Sequence, residues 1–353
     1  MKKSNSFGAQ LKGALSYAWR EGTVYIILVA LIVLFSRMSP YFFTWANFKN
    51  IISESSFYVI AGMGIAFVMI GGGIDLSVGY EMAMVATSSF LIIQKMCPDG
   101  NFTIGHFLVI ILWGIVLGFV MGLVNGVLVT KLKLFPLIVT MATSEVFKGI
   151  CLTFTQSKSY SGLPELFRVV YTKRVLDLPI DVYVAFVIVI ITWFVLNKTH
   201  FGRDVLAVGG NRECARLSGI KADFVQTMTY AITGAVFGIA ALDMMAHQNM
   251  TSATTGPGTE FTCLTAAIIG GISFMGGKGN VWGLTAGIFV MQIISTGMQL
   301  AGLGAYMQYA FKGLILLAAI SFDAIKTQPR PVVRVHNDDD KDESTPEAEA
   351  AQA

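Results

Sequence analysis

The residues best placed to do chemistry in this chain are acids and hydroxyls set among glycines. Gly71-Gly72-Gly73-Ile74-Asp75-Leu76-Ser77-Val78-Gly79 puts one carboxyl and one hydroxyl two positions apart, between two apolar runs. An ionised carboxylate facing hydrocarbon costs about 2.5–3.5 kcal/mol on insertion scales, so Asp75 is expected to face protein, water or the interface. Each helical Gly costs about 1 kcal/mol relative to Ala, so three in succession are expected to break a helix here. The second half holds a counterpart, Gly270-Gly271-Ile272-Ser273-Phe274-Met275-Gly276-Gly277-Lys278-Gly279-Asn280, again between apolar runs. Two glycine-interrupted hydrophobic segments in corresponding halves point to a transport pathway at an interface between repeats. Ordinary turns between helices are the plainer reading of the same residues.

Other chemistry is sparse. Glu145 and Lys148 stand i, i+3 and can neutralise each other. Asp243 and Lys312 have no obvious partner in sequence; each either lines a polar path or settles by snorkelling or local pairing. The four cysteines, Cys97, Cys151, Cys214 and Cys263, share no C-x-x-C spacing, and His106, His200, His247 and His336 are scattered. No metal-ligand cluster is visible in that spacing, and no cofactor is expected. There is no Gly-x-x-x-x-Gly-Lys-Ser/Thr loop for a nucleotide, no paired carboxylates with His and no nucleophile motif, so the chain is not read as an enzyme.

The elements that position these groups follow from composition. Of 353 residues, 54% are hydrophobic and 13% charged, against roughly 25% charged in a soluble domain, which makes this an integral membrane protein. The net charge of +3 hides an asymmetry: in residues 338–353 seven acids face Lys341, leaving −6, and the rest of the chain carries +9. Such an excess reports loop topology rather than nucleic-acid binding. A helix needs about 20 apolar residues to cross about 30 Å of hydrocarbon. About ten spans are expected, at 22–38, 55–72, 75–96, 104–130, 135–156, 180–197, 224–246, 261–276, 281–300 and 306–325, with Gly302 and Gly304 turning the chain between the last two. The first is read as a retained helix rather than a cleaved signal, because Arg37-Met38-Ser39-Pro40 follows instead of a small-x-small site. Tyr41, Phe42, Phe43, Trp45 and Phe48 read as an interfacial aromatic belt. With both termini inside, sixteen Lys and Arg fall in inner segments and seven in outer ones, the bias of cytoplasmic loops. The repeat of Gly114, Gly118 and Gly122 at i+4 is expected to let two helix backbones pack closely.

Residues 198–223 form a basic inner loop. Asn211 is a good N-cap and Gly219 a good residue just past a helix end, so a short capped helix is expected over 212–218. Presented below the membrane, such a helix suits docking into a partner's groove, though a mere connector would obey the same charge bias.

Ser39 to Thr44, Gly73 to Gly79, Gly202-Arg203 to Ala207, Gly209-Gly210-Asn211, Leu217-Ser218-Gly219-Ile220, Glu260, Gly270 to Ser273 and Gly276 to Gly279 stand in an order and spacing that identify a family. Over about residues 20–325 the chain resembles the membrane permease subunit of ribose/galactose/xylose-type ABC sugar importers. The span count makes the expected fold an all-α membrane protein, with five spans per half and hence two inverted five-helix repeats with Gly-interrupted helices. The spans and the charge balance divide the chain into a cytoplasmic segment 1–21, a permease domain 22–325 and an acidic cytoplasmic tail 326–353, which lies outside the family pattern and is expected to be disordered; the resemblance implies a bacterial cytoplasmic (inner) membrane. It further implies a second copy, separate cytoplasmic ATP-binding subunits and an extracytoplasmic sugar-binding protein. Gly202, Arg203, Gly210, Asn211, Ala215, Arg216, Leu217, Ser218 and Gly219 would then couple to the ATPase. Gly73, Asp75, Ser77, Gly79, Glu260, Gly271, Ser273, Gly276 and Gly277 would mark the pathway and its helix breaks. A secondary sugar carrier is the alternative, and Glu145/Lys148 its one titratable pair.

Overall fold

The computed structural model describes residues 23–327; segment 1–21 and the acidic tail from residue 328 lie outside the described residues. Thirteen helices occur within them: α1 Thr23–Met38, α2 Trp45–Ile70, α3 Val78–Met96, α4 Ile104–Lys131, α5 Pro136–Thr155, α6 Glu165–Thr172, α7 Ile180–Lys198, α8 His200–Gly210, α9 Arg212–Leu217, α10 Ala222–Gln248, α11 Thr259–Ile269, α12 Val281–Leu300 and α13 Ala305–Thr327. Each apolar segment expected from the sequence carries one of them. Six helices, α2, α4, α5, α7, α10 and α12, are long and apolar enough to cross a membrane by length and composition. The segment expected to span at 261–276 is shorter than that: α11 has 11 residues, about 16 Å at 1.5 Å per residue, and the chain leaves helical form at Gly270.

Local chemistry sets the helix ends. Thr44 and Thr103 cap α2 and α4 through their hydroxyls, Pro136 opens α5 at a position that needs no N–H donor, and Gly302, at φ 81°, turns the chain between α12 and α13. Two small pairings mark one end of the bundle. β1 (Tyr160–Ser161) pairs antiparallel with β4 (Met250–Thr251), and β2 (Arg174–Val175) with β3 (Leu178–Pro179). Lys49 at the start of α2 reaches Asp177 at 2.7 Å on the same end. The breaks 71–77 and 270–280 and helices α8 and α9 gather at the opposite end.

α10 is the central helix, packed chiefly on α4, α2 and α3. The expected Gly series does this: a Cβ on Gly118 would strike the Gly234 carbonyl, one on Gly122 the Tyr230 carbonyl, and one on Gly238 the Gly114 carbonyl. Only hydrogens separate the two backbones, and van der Waals contact replaces the hydrophobic effect that lipid cannot supply. α2, α10 and α12 are buried most of the way round. α4 and α7 bury a narrow stripe and turn Leu108, Leu112, Val116, Phe186, Val187 and Phe194 outward, as a lipid-facing ring requires.

Candidate functional site

The first break is held from three helices. The Ile74 N–H donates to the Tyr230 hydroxyl of α10 at 3.3 Å, and that hydroxyl lies 3.1 Å from the Ile74 carbonyl. The Leu76 N–H donates to Thr140 Oγ1 of α5 at 3.2 Å. Non-helical backbone inside a membrane protein needs such partners, since lipid offers none. Asp75 and Ser77 are buried, as is Glu81 one turn into α3. Ser77 Oγ lies 2.5 Å from Asp75 Oδ1 and 2.9 Å from Glu81 Oε1, and Asn125 Nδ2 of α4 donates to both Ser77 Oγ, at 2.9 Å, and Glu81 Oε1, at 3.1 Å. A hydroxyl has one proton to give, so the second of these carboxyl contacts needs a proton held on a carboxyl. Glu81 and Asn125 were not singled out from the sequence; the i+4 spacing from Ser77 to Glu81 is the signal that could have found the former.

The two glycine breaks touch. The Gly277 N–H donates to the Ile70 carbonyl at 2.8 Å, across two hundred residues of chain. A Cβ on Gly276 would lie 2.7 Å from Gly72 Cα and 2.9 Å from the Gly209 carbonyl oxygen, and one on Gly209 would strike the Ile70 carbonyl. Three backbones therefore cross at glycines: the end of α2, the 270–280 turn and the last turn of α8. Ser273 shapes that turn, accepting from the Gly276 N–H at 3.2 Å through its carbonyl and from the Met275 N–H at 3.2 Å through Oγ. Gly72, Gly271, Gly276 and Gly277 all sit at positive φ, where only glycine is free of strain. Gly73 packs against the Tyr230 ring, so its missing side chain makes room for that clamp.

Gly79 and Glu260 meet elsewhere inside the bundle. A Cβ on Gly79 would lie 2.6 Å from Glu260 Oε2 and 2.9 Å from Pro257 Cα. Glu260 Oε1 accepts from the Gly258 N–H at 2.9 Å, closing the turn into α11. Gly271 and Ser273 do not join this second group; the expected pathway residues form two clusters rather than one.

Segment 198–223 is more ordered than expected. Thr199 caps an unforeseen helix, α8, by accepting from the Gly202 N–H at 3.1 Å; Gly202 packs on the α7 carbonyls of Val195 and Leu196, and Arg203 lies 2.7 Å from His200 Nδ1. Asn211 caps α9 as expected, accepting from the Cys214 N–H at 2.9 Å, and Gly219 at φ 87° ends it. Arg212 pairs with Asp223 at 2.7 Å and holds that carboxyl below its ordinary range; Arg216 pairs with Glu213 at 3.2 Å. One expectation is corrected. Ala215 is 4% exposed and packs into the chain's own core, so it cannot enter a partner's groove, whereas Leu217 is 88% exposed and Ser218 is exposed beside it. A six-residue helix has one buried stripe, and the register that buries Ala215 turns Leu217 out. A cleft of about 680 Å³ lies between α9, the α4–α5 turn with Lys133 and the first break at Gly71 and Gly72.

Glu145 and Lys148 do pair, at 3.1 Å, on the outward face of α5. Asp243 gains company that its sequence position hid: Asp181 of α7 and His247 of α10 stand beside it, with one ligand atom of each within 4.8 Å of the others. Cys97, Cys151, Cys214 and Cys263 are all free thiols, and Cys151 and Cys263 are buried as small apolar groups.

A helical protein with several membrane-long apolar helices, whose two glycine breaks meet at one end of the bundle beside α8 and α9, has the build of a polytopic permease. The chain belongs to the family described as branched-chain amino acid transport system / permease component, whose model matches residues 47–320. It is 31% identical to the D-allose transport system permease protein of Escherichia coli (strain K12), over 87% of this chain and 92% of that one. It is 32% identical to the ribose import permease protein of Bacillus subtilis (strain 168), over 85% and 91%. Against the galactose/methyl galactoside import permease protein of Escherichia coli (strain K12) the identity is 30%, over 89% and 97%. No solved structure matches the chain.

Proposed function

We propose that this chain is the transmembrane permease subunit of an ATP-driven ABC importer for a monosaccharide such as ribose, galactose, xylose or a similar sugar. It works as two copies, with cytoplasmic ATP-binding subunits and an extracytoplasmic sugar-binding protein. The observation that carries this reading is the contact of Gly209, at the end of α8, with both helix breaks at Ile70 and Gly277. α8 and α9 are continuous through the Asn211 cap, so a displacement of α9 by a partner is delivered to both breaks at once. The side chains presented to that partner are Leu217, Ser218, Arg216 and Arg203, with Gly202, Gly210, Asn211, Ala215 and Gly219 shaping the element. ATP binding would close the ATPase pair, move α9 and turn the pathway from outward to inward opening. Gly73, Asp75, Ser77, Gly79, Glu260, Gly271, Ser273, Gly276 and Gly277 serve as the deformable seams of that pathway.

The charge bias supports a topology of about ten spans across a bacterial inner membrane, with both ends of the sequence and α8–α9 on the cytoplasmic side. α1 to α5 and α7, α10, α11, α12 and α13 would be the two inverted sets of five, with the break after the second helix in one and after the third in the other. The second copy is supported by α5: Glu145 has a side chain 68% exposed halfway along a membrane-long helix, and lipid is a costly neighbour for it. A partner copy or a water-lined pathway on that face removes the cost.

The test is uptake into vesicles holding this chain together with a partner ATPase and an extracytoplasmic sugar-binding protein. Labelled ribose, galactose, xylose and allose should enter only with internal ATP. Uptake without ATP, driven by an ion gradient, would establish the secondary carrier instead.

A further inference from the structure

The Asp181–Asp243–His247 cluster is unexplained by any of this, and its chemistry is specific. Asp243 and His247 lie i, i+4 near the C-terminal end of α10, so their side chains share one face of that helix. Asp181 enters from the first turn of α7. Its Oδ1 accepts from the Val182 N–H at 2.8 Å, which fixes the carboxyl, and its Oδ2 faces His247 Nε2. Asp181 and Asp243 are fully buried, while the His247 side chain is 18% exposed. Both oxygens of Asp243 lack a hydrogen-bond partner among the described residues. A buried carboxylate left so is costly unless a proton or a cation completes it. With both carboxyls ionised, even a protonated His247 leaves one negative charge uncompensated, which a divalent cation would neutralise. Glu54 of α2, which accepts from Gln292 Nε2 at 2.7 Å, adds to the negative field at His247 rather than relieving it.

We propose that Asp181, Asp243 and His247 bind one divalent transition-metal ion of the Zn²⁺ or Mn²⁺ kind, which ties α7 to α10 at the end of the bundle opposite α8 and α9. One imidazole nitrogen and two carboxylate oxygens within 4.8 Å of one another match the donor preferences of these borderline ions, and no thiolate is present to favour a softer one. Two ligands from one helix turn and a third from its neighbour make a chelate that needs both helices in place. The ion would pin the outer ends of the two helices whose inner ends are joined through α8 and α9.

The test uses the full chain purified in detergent, stripped with EDTA and dialysed against Zn²⁺ or Mn²⁺, with metal content by mass spectrometry and affinity by calorimetry. One ion per chain is expected for one of these metals. Asp243→Asn should weaken its affinity by at least about tenfold, as should His247→Gln, while His106→Gln and His200→Gln should not change it. Should Asp243→Asn fail to yield monodisperse protein, His247→Gln alone decides, because its side chain is partly exposed. No stoichiometric ion in the wild-type chain, or unchanged binding in His247→Gln, overturns the proposal.

Discussion

Gly209 and Gly210 are adjacent glycines in the last turn of α8, and replacing each by Ala should have opposite consequences. A Cβ on Gly209 strikes the Ile70 carbonyl and lies 2.7 Å from the Gly277 nitrogen, both backbone atoms that no side-chain rotation can move aside. A Cβ on Gly210 meets only Gly277 Cα, at 4.0 Å, an ordinary contact. In a helix, Ala is favoured over Gly by about 1 kcal/mol, and this gain is common to both variants. Overpacking at Gly209 costs about 1–3 kcal/mol, and parting Ile70 from Gly277 loses a hydrogen bond worth about 1 kcal/mol. Gly209→Ala should therefore be about 1–3 kcal/mol less stable than wild type, and Gly210→Ala slightly more stable. Thermal unfolding in detergent reads the difference, and ATP-dependent uptake reads its consequence for the two breaks. Equal stability and equal transport in the two variants would refute the three-backbone crossing.

On α9, Leu217→Asp should leave expression and unfolding unchanged but lose co-purification of the ATPase, whereas Ala215→Glu should lower the yield of folded protein itself; the reverse pattern would invert the register of the helix. Asp75→Leu should abolish transport, because the Leu cannot meet the Ser77 hydroxyl and N–H, and near-normal uptake would make 71–79 a simple turn. Ser218→Cys, in a chain without native cysteines, should resist impermeant thiol reagents applied outside intact cells; efficient labelling would overturn the cytoplasmic placement. The Arg212–Asp223 pair depresses the Asp223 carboxyl, so its stabilisation is present above about pH 4 and is lost as pH falls through the lower folded value. Because the pair is well exposed, Asp223→Asn should cost at most about 0.2–1 kcal/mol at pH 7 and progressively less as the pH falls below about 4, which acid-unfolding curves of the two proteins would show.

The sequence by itself determined the features that depend on neighbours along the chain. Apolar runs long enough for helices, the glycine stretches that interrupt them at 71–73 and 270–279, the Asn211 cap and the Gly302 turn all follow from local backbone energetics. The Gly114-Gly118-Gly122 series announced a close helix contact but not its partner, since spacing names a face and not what lies against it. Only the tertiary structure decided that the partner is α10, that Ile70 and Gly277 share a hydrogen bond, and that Gly209 stands between the breaks. It also decided that Ala215 turns inward and Leu217 outward, because a six-residue helix has too few positions for a hydrophobic period to declare its buried side. Asp243 was visible as a lone acid in an apolar run. Its grouping with Asp181 and His247 came from two helices whose ends are brought together by packing over 60 residues of intervening chain. Such approaches are fixed by long-range contacts, in which every helix is positioned by several others at once, and no local pattern of residues encodes them.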